Sequence, residues 1–324
     1  MIADYTSALQ DGPWRHEFVP ANGCRFHVAT AEPAPVRAGE QTAQPSGEQG
    51  ASTERRPAPL VVLLHSFPQF WWAWRLQIPA LAAAGFRVAA LDLRGTGGSD
   101  KPPLGYDVPM RTRDVAGVIR SLGAESAYVV GHGTGAAIAW ACAAYQPRTT
   151  AGVVALSAPH PARRRVAVRR ALTPSAARHI AFAQLPTLPE RALTRGTLVA
   201  DLLTEGSVAP VPPEAVATYR TALQIPFAAH SAMEALRWSV RSAPTPGGAR
   251  YVSTMRRPVD VPALQLQGEL DPWVRGTGAA TDAADLARTF RLETIPGAGH
   301  FLPEEAPDAV SEALVSWLSE VRRS

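Results

Sequence analysis

The chain is poor in lysine. Lys101 is its single lysine among 32 basic residues, so the positive charge is almost wholly guanidinium. Only two cysteines occur, Cys24 and Cys142, which excludes a disulfide framework and fits a reduced compartment. No apolar run reaches the ~20 residues that a membrane-spanning helix needs. Residues 1–10 are mixed and polar, without the apolar core of a secretory leader, so a cytoplasmic protein with no membrane partner is expected. Phosphate-binding and dinucleotide fingerprints are missing: the glycines at 95–98 do not match one. His160, His179 and His230 lack metal-ligand spacing, so neither a metal nor a cofactor is expected. The net charge of +4 includes a local cluster, Arg163, Arg164, Arg165, Arg169 and Arg170. No aromatics are interleaved with it, so it reads as a solvated helix face and no nucleic-acid partner is expected. Nothing in the composition specifies an oligomeric state.

What is present is a chain of 324 residues, 46% hydrophobic, enough for one large domain with an insertion. Residues 32–59 are rich in Pro, Ala, Gly, Glu, Gln and Ser without apolar period and are expected to form a disordered, passive insertion. It separates an alternating strand, 24–30, from a continuous apolar strand, 60–65, and the two are expected to be neighbours. From there strands and helices alternate: helix 74–84, strand 87–92, helix 110–122, strand 127–131 running into helix 134–145, strand 150–157. The rhythm then breaks. Residues 159–248 hold no convincing strand and read as helices separated by prolines. It resumes with strand 263–268, helix 281–288, strand 291–295 and a last helix, 307–321. This order predicts the α/β class: a mostly parallel, doubly wound sheet whose core, 1–159 and 249–324, is interrupted by a helical cap, 160–248.

Gly131-His132-Gly133-Thr134-Gly135 lies between a strand and a helix. Such a Gly-x-X-x-Gly turn lifts residue X over the sheet edge, where a nucleophile belongs. Position X is Gly133, which has no side chain. Four further motifs accompany it: His65-Ser66-Phe67-Pro68, Asp92-Leu93-Arg94-Gly95-Thr96-Gly97-Gly98-Ser99-Asp100, Gly268-Glu269-Leu270-Asp271, and Gly297-Ala298-Gly299-His300-Phe301. Asp271 and His300 follow the turn in the order acid then base, and an Asp–His pair fixes the imidazole tautomer.

Together these motifs resemble the cap-bearing α/β-hydrolases, the branch of epoxide hydrolases and haloalkane dehalogenases. The resemblance covers most of the chain outside 32–59 and is weakest within the cap. It implies a small-molecule substrate or ligand, His300 as base, Asp271 as its acid partner, and an oxyanion hole made by the Phe67 and Thr134 amides. The chain departs from the family's His-Gly-x-Pro pattern by placing Ser66 at the glycine. Thr134 stands where dehalogenases carry tryptophan. Phe182 and Leu236 stand where epoxide hydrolases carry ring-opening tyrosines, with Tyr219 a possible substitute. Trp72 and Trp238 complete the expected substrate-binding set. Gly133 excludes a covalent intermediate at the elbow itself. Three readings follow: His300 and Asp271 activate water against a small, largely apolar substrate; Ser66 acts as a displaced nucleophile; or the chain is a non-catalytic ligand binder.

Overall fold

A computed structural model describes residues 3–33, 57–163, 174–274 and 283–323. Most of the expected insertion at 32–59, and Arg164 to Arg170, lie outside these residues. Arg163 pairs with Asp285 at 2.8 Å.

Eight strands form one sheet: β1 (Arg15–Ala21), β2 (Cys24–Ala31), β3 (Leu60–Leu64), β4 (Arg87–Leu91), β5 (Ala127–His132), β6 (Thr150–Leu156), β7 (Val259–Gly268) and β8 (Ala287–Ile295). Their order is β1-β2-β4-β3-β5-β6-β7-β8. The first two pairings, β1 with β2 and β2 with β4, are antiparallel, and all others are parallel. The expected adjacency of β2 and β3 is corrected: β4 stands between them. β2 instead forms a hairpin with β1 around Asn22-Gly23, both at positive φ (+45° and +73°), the turn geometry that matches strand twist.

Alternation along the strands feeds two cores. On one face Val61, Leu63, Val130 and Leu264 pack with Trp71, Trp74 and the C-terminal helix residues Leu314 and Trp317. On the other, Leu60, Val62, Leu64 and Val129 pack with α2 (Val108–Ser121) and α3 (Thr134–Tyr145) through Val118, Ile119, Ile138 and Trp140. Both sheet faces are thus covered, which the continuous apolar strands β3 and β6 require.

Between β6 and β7 the described chain is helical, with no strand. Pro189, Pro213 and Pro246 each stand in the first turn of a helix, where the missing N–H costs nothing. The last of these helices, Pro246–Met255, runs past residue 248, and its Tyr251 and Met255 join the core beneath α3. The helix expected at 281–288 lies partly outside the described residues, and from Ala287 the chain is already strand.

Candidate active site

The C-terminal ends of the parallel strands, where sheets of this kind carry their sites, bring three loops together. After β7, Asp271 is almost completely buried, and each of its carboxylate oxygens is occupied. Oδ2 accepts from His300 Nδ1 and Gln267 Nε2, both at 3.0 Å. Oδ1 accepts from the Trp273 and Val274 amides at 2.8 and 3.0 Å. Burial pushes this carboxyl up, but the His300 ring and the two amides outweigh it and hold Asp271 below its ordinary range. The anion therefore fixes which His300 nitrogen carries hydrogen and leaves Nε2 as the open lone pair.

The loops bearing Asp271 and His300 also touch through their backbones. A Cβ on Gly268 would lie 2.0 Å from the Gly299 carbonyl oxygen, so the approach requires glycine. The Trp273 ring packs 4.7 Å from the His300 ring, and Glu305 accepts from the Gly299 and Phe301 amides on either side of the base. His132, the residue before Gly133, donates from Nε2 to the His300 carbonyl at 2.8 Å. Burial lowers its pKa to about 3, so it stays neutral and serves as a tie between elbow and base.

At the elbow, β5 passes into α3 with Gly133 at φ +51° and ψ −110°, a conformation that strains any side-chain-bearing residue. The place where a side chain would begin is not open. A Cβ on Gly133 would lie 2.1 Å from Ser66 Oγ, 3.0 Å from Ser66 Cβ and 3.4 Å from His300 Nε2. The Ser66 hydroxyl and the open nitrogen of His300 both lie close to the position that a side chain on residue 133 would take. The hydroxyl accepts from the Thr134 amide at 3.4 Å and donates to the Phe67 carbonyl at 3.3 Å. Among the described residues the Phe67 amide has no hydrogen-bond partner.

His65 sets the Ser66 turn. Its Nδ1 donates to the Ser66 carbonyl at 3.0 Å, and its Nε2 accepts from the Leu93 amide at 3.2 Å. Burial lowers its pKa to about 4. His65, His132, Gln267 and Trp273 were not singled out from the sequence as positioning residues. Two of them stood within the quoted motifs, and the other two flank Asp271.

These groups open on a cavity of about 470 Å³. Ser66, Phe67, Gly133, Thr134 and His300 line it, as do Phe182, Leu236 and Trp238 from the helical segment. Two expected substrate-binding residues do not. Tyr219 is fully buried outside the cavity and donates its hydroxyl to Glu304, while Trp72 packs 5.7 Å from its ring and under the Arg75 guanidinium, 3.7 Å away. Arg75 and Glu304 pair in two bonds of 2.7 and 2.8 Å. The tyrosine and tryptophan complete this polar knot rather than the cavity wall. Among the described residues no group of His, Cys, Asp and Glu could hold a metal ion, and no helix is long and apolar enough to cross a membrane.

Comparison with known proteins agrees with this architecture. Residues 61–313 match the model of the alpha/beta hydrolase family. Epoxide hydrolase A of Mycobacterium tuberculosis is 30% identical, the alignment covering 93% of this chain and 96% of that one. Epoxide hydrolase B of the same organism is 53% identical over 103 residues, which span only 31% of this chain and 29% of that protein. The solved epoxide hydrolase from an endophytic Streptomyces superposes with a TM-score of 0.74 at 25% identity, covering 97% of this chain and 98% of the other. The chain belongs to the alpha/beta hydrolase family and, within it, is epoxide hydrolase-like.

Proposed function

We propose that this protein hydrolyses an ester bond in a small, largely apolar substrate, with His300 and Asp271 as the base and the Ser66 hydroxyl as nucleophile. One observation carries the reading: the point at which an elbow side chain would start lies 2.1 Å from Ser66 Oγ and 3.4 Å from His300 Nε2. A hydroxyl missing from residue 133 is replaced, in nearly the same place, by one from residue 66. In this reading Ser66 Oγ attacks the acyl carbon and its proton passes to His300 Nε2. The Thr134 and Phe67 amides take the charge that develops on the carbonyl oxygen. His300 returns the proton to the leaving alcohol, then draws one from water, whose oxygen attacks the acyl–Ser66 ester, and passes it to Ser66 Oγ as the acyl–oxygen bond breaks. Catalysis on an ester needs no proton donor opposite the nucleophile. Epoxide opening does, and the residues matched to the ring-opening tyrosines, Phe182 and Leu236, have no hydroxyl, while Tyr106 and Tyr251 line the cavity from other positions.

A second reading has its own support. Ser66 Oγ donates to the Phe67 carbonyl, and among the described residues no hydrogen bond joins it to His300. In that case His300 activates water directly, and Ser66 only shapes the space. Labelling with a fluorophosphonate, followed by peptide mapping, separates the two. The serine reading expects the label on the peptide containing Ser66, and loss of label and of ester turnover in Ser66→Ala. Ester turnover that survives in Ser66→Ala would transfer the proposal to water.

A further inference from the structure

The cavity is lined by one guanidinium that has no ion-pair partner among the described residues. Arg111, in the first turns of α2, is 6% exposed and lines the cavity. Its guanidinium makes a single hydrogen bond, from Nη2 to the Arg94 carbonyl at 3.5 Å, and its buried Nε has no partner among the described residues. No carboxylate among the described residues lies within ion-pair distance of it. Asp114, one of the carboxylates acting on it, is engaged elsewhere. Its Oδ2 accepts from Arg94 Nε at 2.7 Å, and its Oδ1 accepts from Arg94 Nη2 at 2.6 Å and Asn22 Nδ2 at 2.7 Å. Asp107 spends its carboxylate on the Met110 amide as the cap of α2, and Tyr106 engages Ser231 and the Pro102 carbonyl.

Arg94 and the carboxylates of Asp114 and Asp107 thus act on Arg111 at a distance, and none of them pairs with it directly among the described residues. Burial pushes Arg111 down to about 10, still well above neutral pH, so the group stays charged. Its field also reaches His65, further disfavouring protonation of that ring. The placement is costly twice over. A buried charge without a partner is among the least favourable arrangements a protein can hold, and a cation early in a helix opposes the helix dipole. A bound anion would relieve both.

We propose that Arg111 is an anion anchor: the molecule that fills this cavity has an apolar body and carries one carboxylate, which the Arg111 guanidinium receives. The proposal rests on the preceding reading in taking the same cavity as the substrate site, but it concerns binding and not turnover. The guanidinium presents a planar donor face that suits a carboxylate. The rest of the wall, including Val108, Leu202, Leu223, Met233 and Leu236, suits an aliphatic chain. The reacting bond and the carboxylate would then occupy different parts of one substrate.

Octanoate and octanamide have the same chain and differ in charge. Calorimetric titration of the wild-type protein with each is expected to show octanoate binding about tenfold or more tightly. Arg111→Met should erase that preference and, by removing an unpaired buried charge, should not lower the melting temperature. Equal affinities in the wild type, or no binding of octanoate at millimolar concentration, would overturn the proposal whether or not the variant folds. A preference that persists in Arg111→Met would do the same. His300→Ala separates this from the preceding reading: it should lose ester turnover and keep the octanoate preference. Loss of the preference in His300→Ala would place the carboxylate at the base and overturn the role of Arg111.

Discussion

The two walls of the cavity are built on different principles. The wall at the strand ends is polar, and its chemistry-bearing groups are held by backbone atoms. Asp271 is fixed by two amides, His65 by a carbonyl and an amide, and His132 by the carbonyl of the base. The wall contributed by the helices between β6 and β7 is mostly apolar, with His179, Gln184, Ser239 and Ser242 among its exceptions, and residues such as Phe182, Leu202, Met233 and Trp238 are held by packing. Backbone hydrogen bonds have fixed directions and keep atoms in place to a fraction of an ångström, as reaction geometry demands. Apolar packing is non-directional and tolerates exchange of side chains of similar volume. On the proposed function, the first wall decides what can be done to a substrate, and the second decides which substrate enters.

The largest effect that tests this contrast is on turnover. His300→Ala should reduce kcat by about 10²–10⁴-fold in an ester-hydrolysis assay, whereas Leu236→Met on the other wall should change chiefly KM and chain-length preference. Equal loss of kcat in both would break the division of labour.

A smaller effect, on stability, sharpens the role of the elbow. Gly133→Ala should destabilise the fold by about 1–3 kcal/mol in denaturant titration, because alanine is strained at φ +51°. Its methyl group must also displace the Ser66 hydroxyl. Ser66→Gly in the same chain should recover the steric part of the loss and leave the backbone part. Strict additivity of the two substitutions would mean that they do not share the space.

Acid acts ring by ring, each ring contributing an effect no larger than that of the elbow substitution. His65, His132 and His160 have folded pKa values lowered by burial to about 4, 3 and 4, against 6.5 in an unfolded chain. Between these values the unfolded state binds more protons, so the stabilisation from keeping the rings neutral is fully present above pH 6.5. It is lost as the pH falls toward 4. At pH 5 each ring should have cost about 2 kcal/mol, visible as a steady fall in melting temperature from pH 7 to pH 5. His65→Gln should flatten that slope, and an unchanged slope would show that the ring is not held neutral.

The strand-end wall was largely legible in the sequence. Strand β3, the glycine turn around position 133, Asp271 and His300 each follow from local patterns: an apolar run, glycines where backbones meet, and polar residues directly after strands. Asn22-Gly23 carried the hairpin of β1 and β2 in a two-residue turn, but β1 mixes exposed and half-buried positions and was passed over. The opposite wall was less legible, because which face of a helix looks into a cavity depends on how the helices pack, and no local pattern encodes that. Phe182, Leu236 and Trp238 reach the cavity, whereas Tyr219 turns to Glu304 and Trp72 to Arg75. Arg111 was invisible for a related reason: a single arginine in an amphipathic helix reads as a surface residue until the structure shows its surroundings.

Gly268 and Gly299 bring two loops so close that no side chain fits between them. Mechanically, the loop of Asp271 and the loop of His300 form a single rigid part. A change in one of them cannot re-aim His300 without breaking the contact with the other. Any diversification of this pocket over evolutionary time would therefore have to come from components outside that part, namely the group that delivers the hydroxyl and the side chains that face it. Ser66 and Gly133, which share one small space beside that part, are positions at which such a change would act.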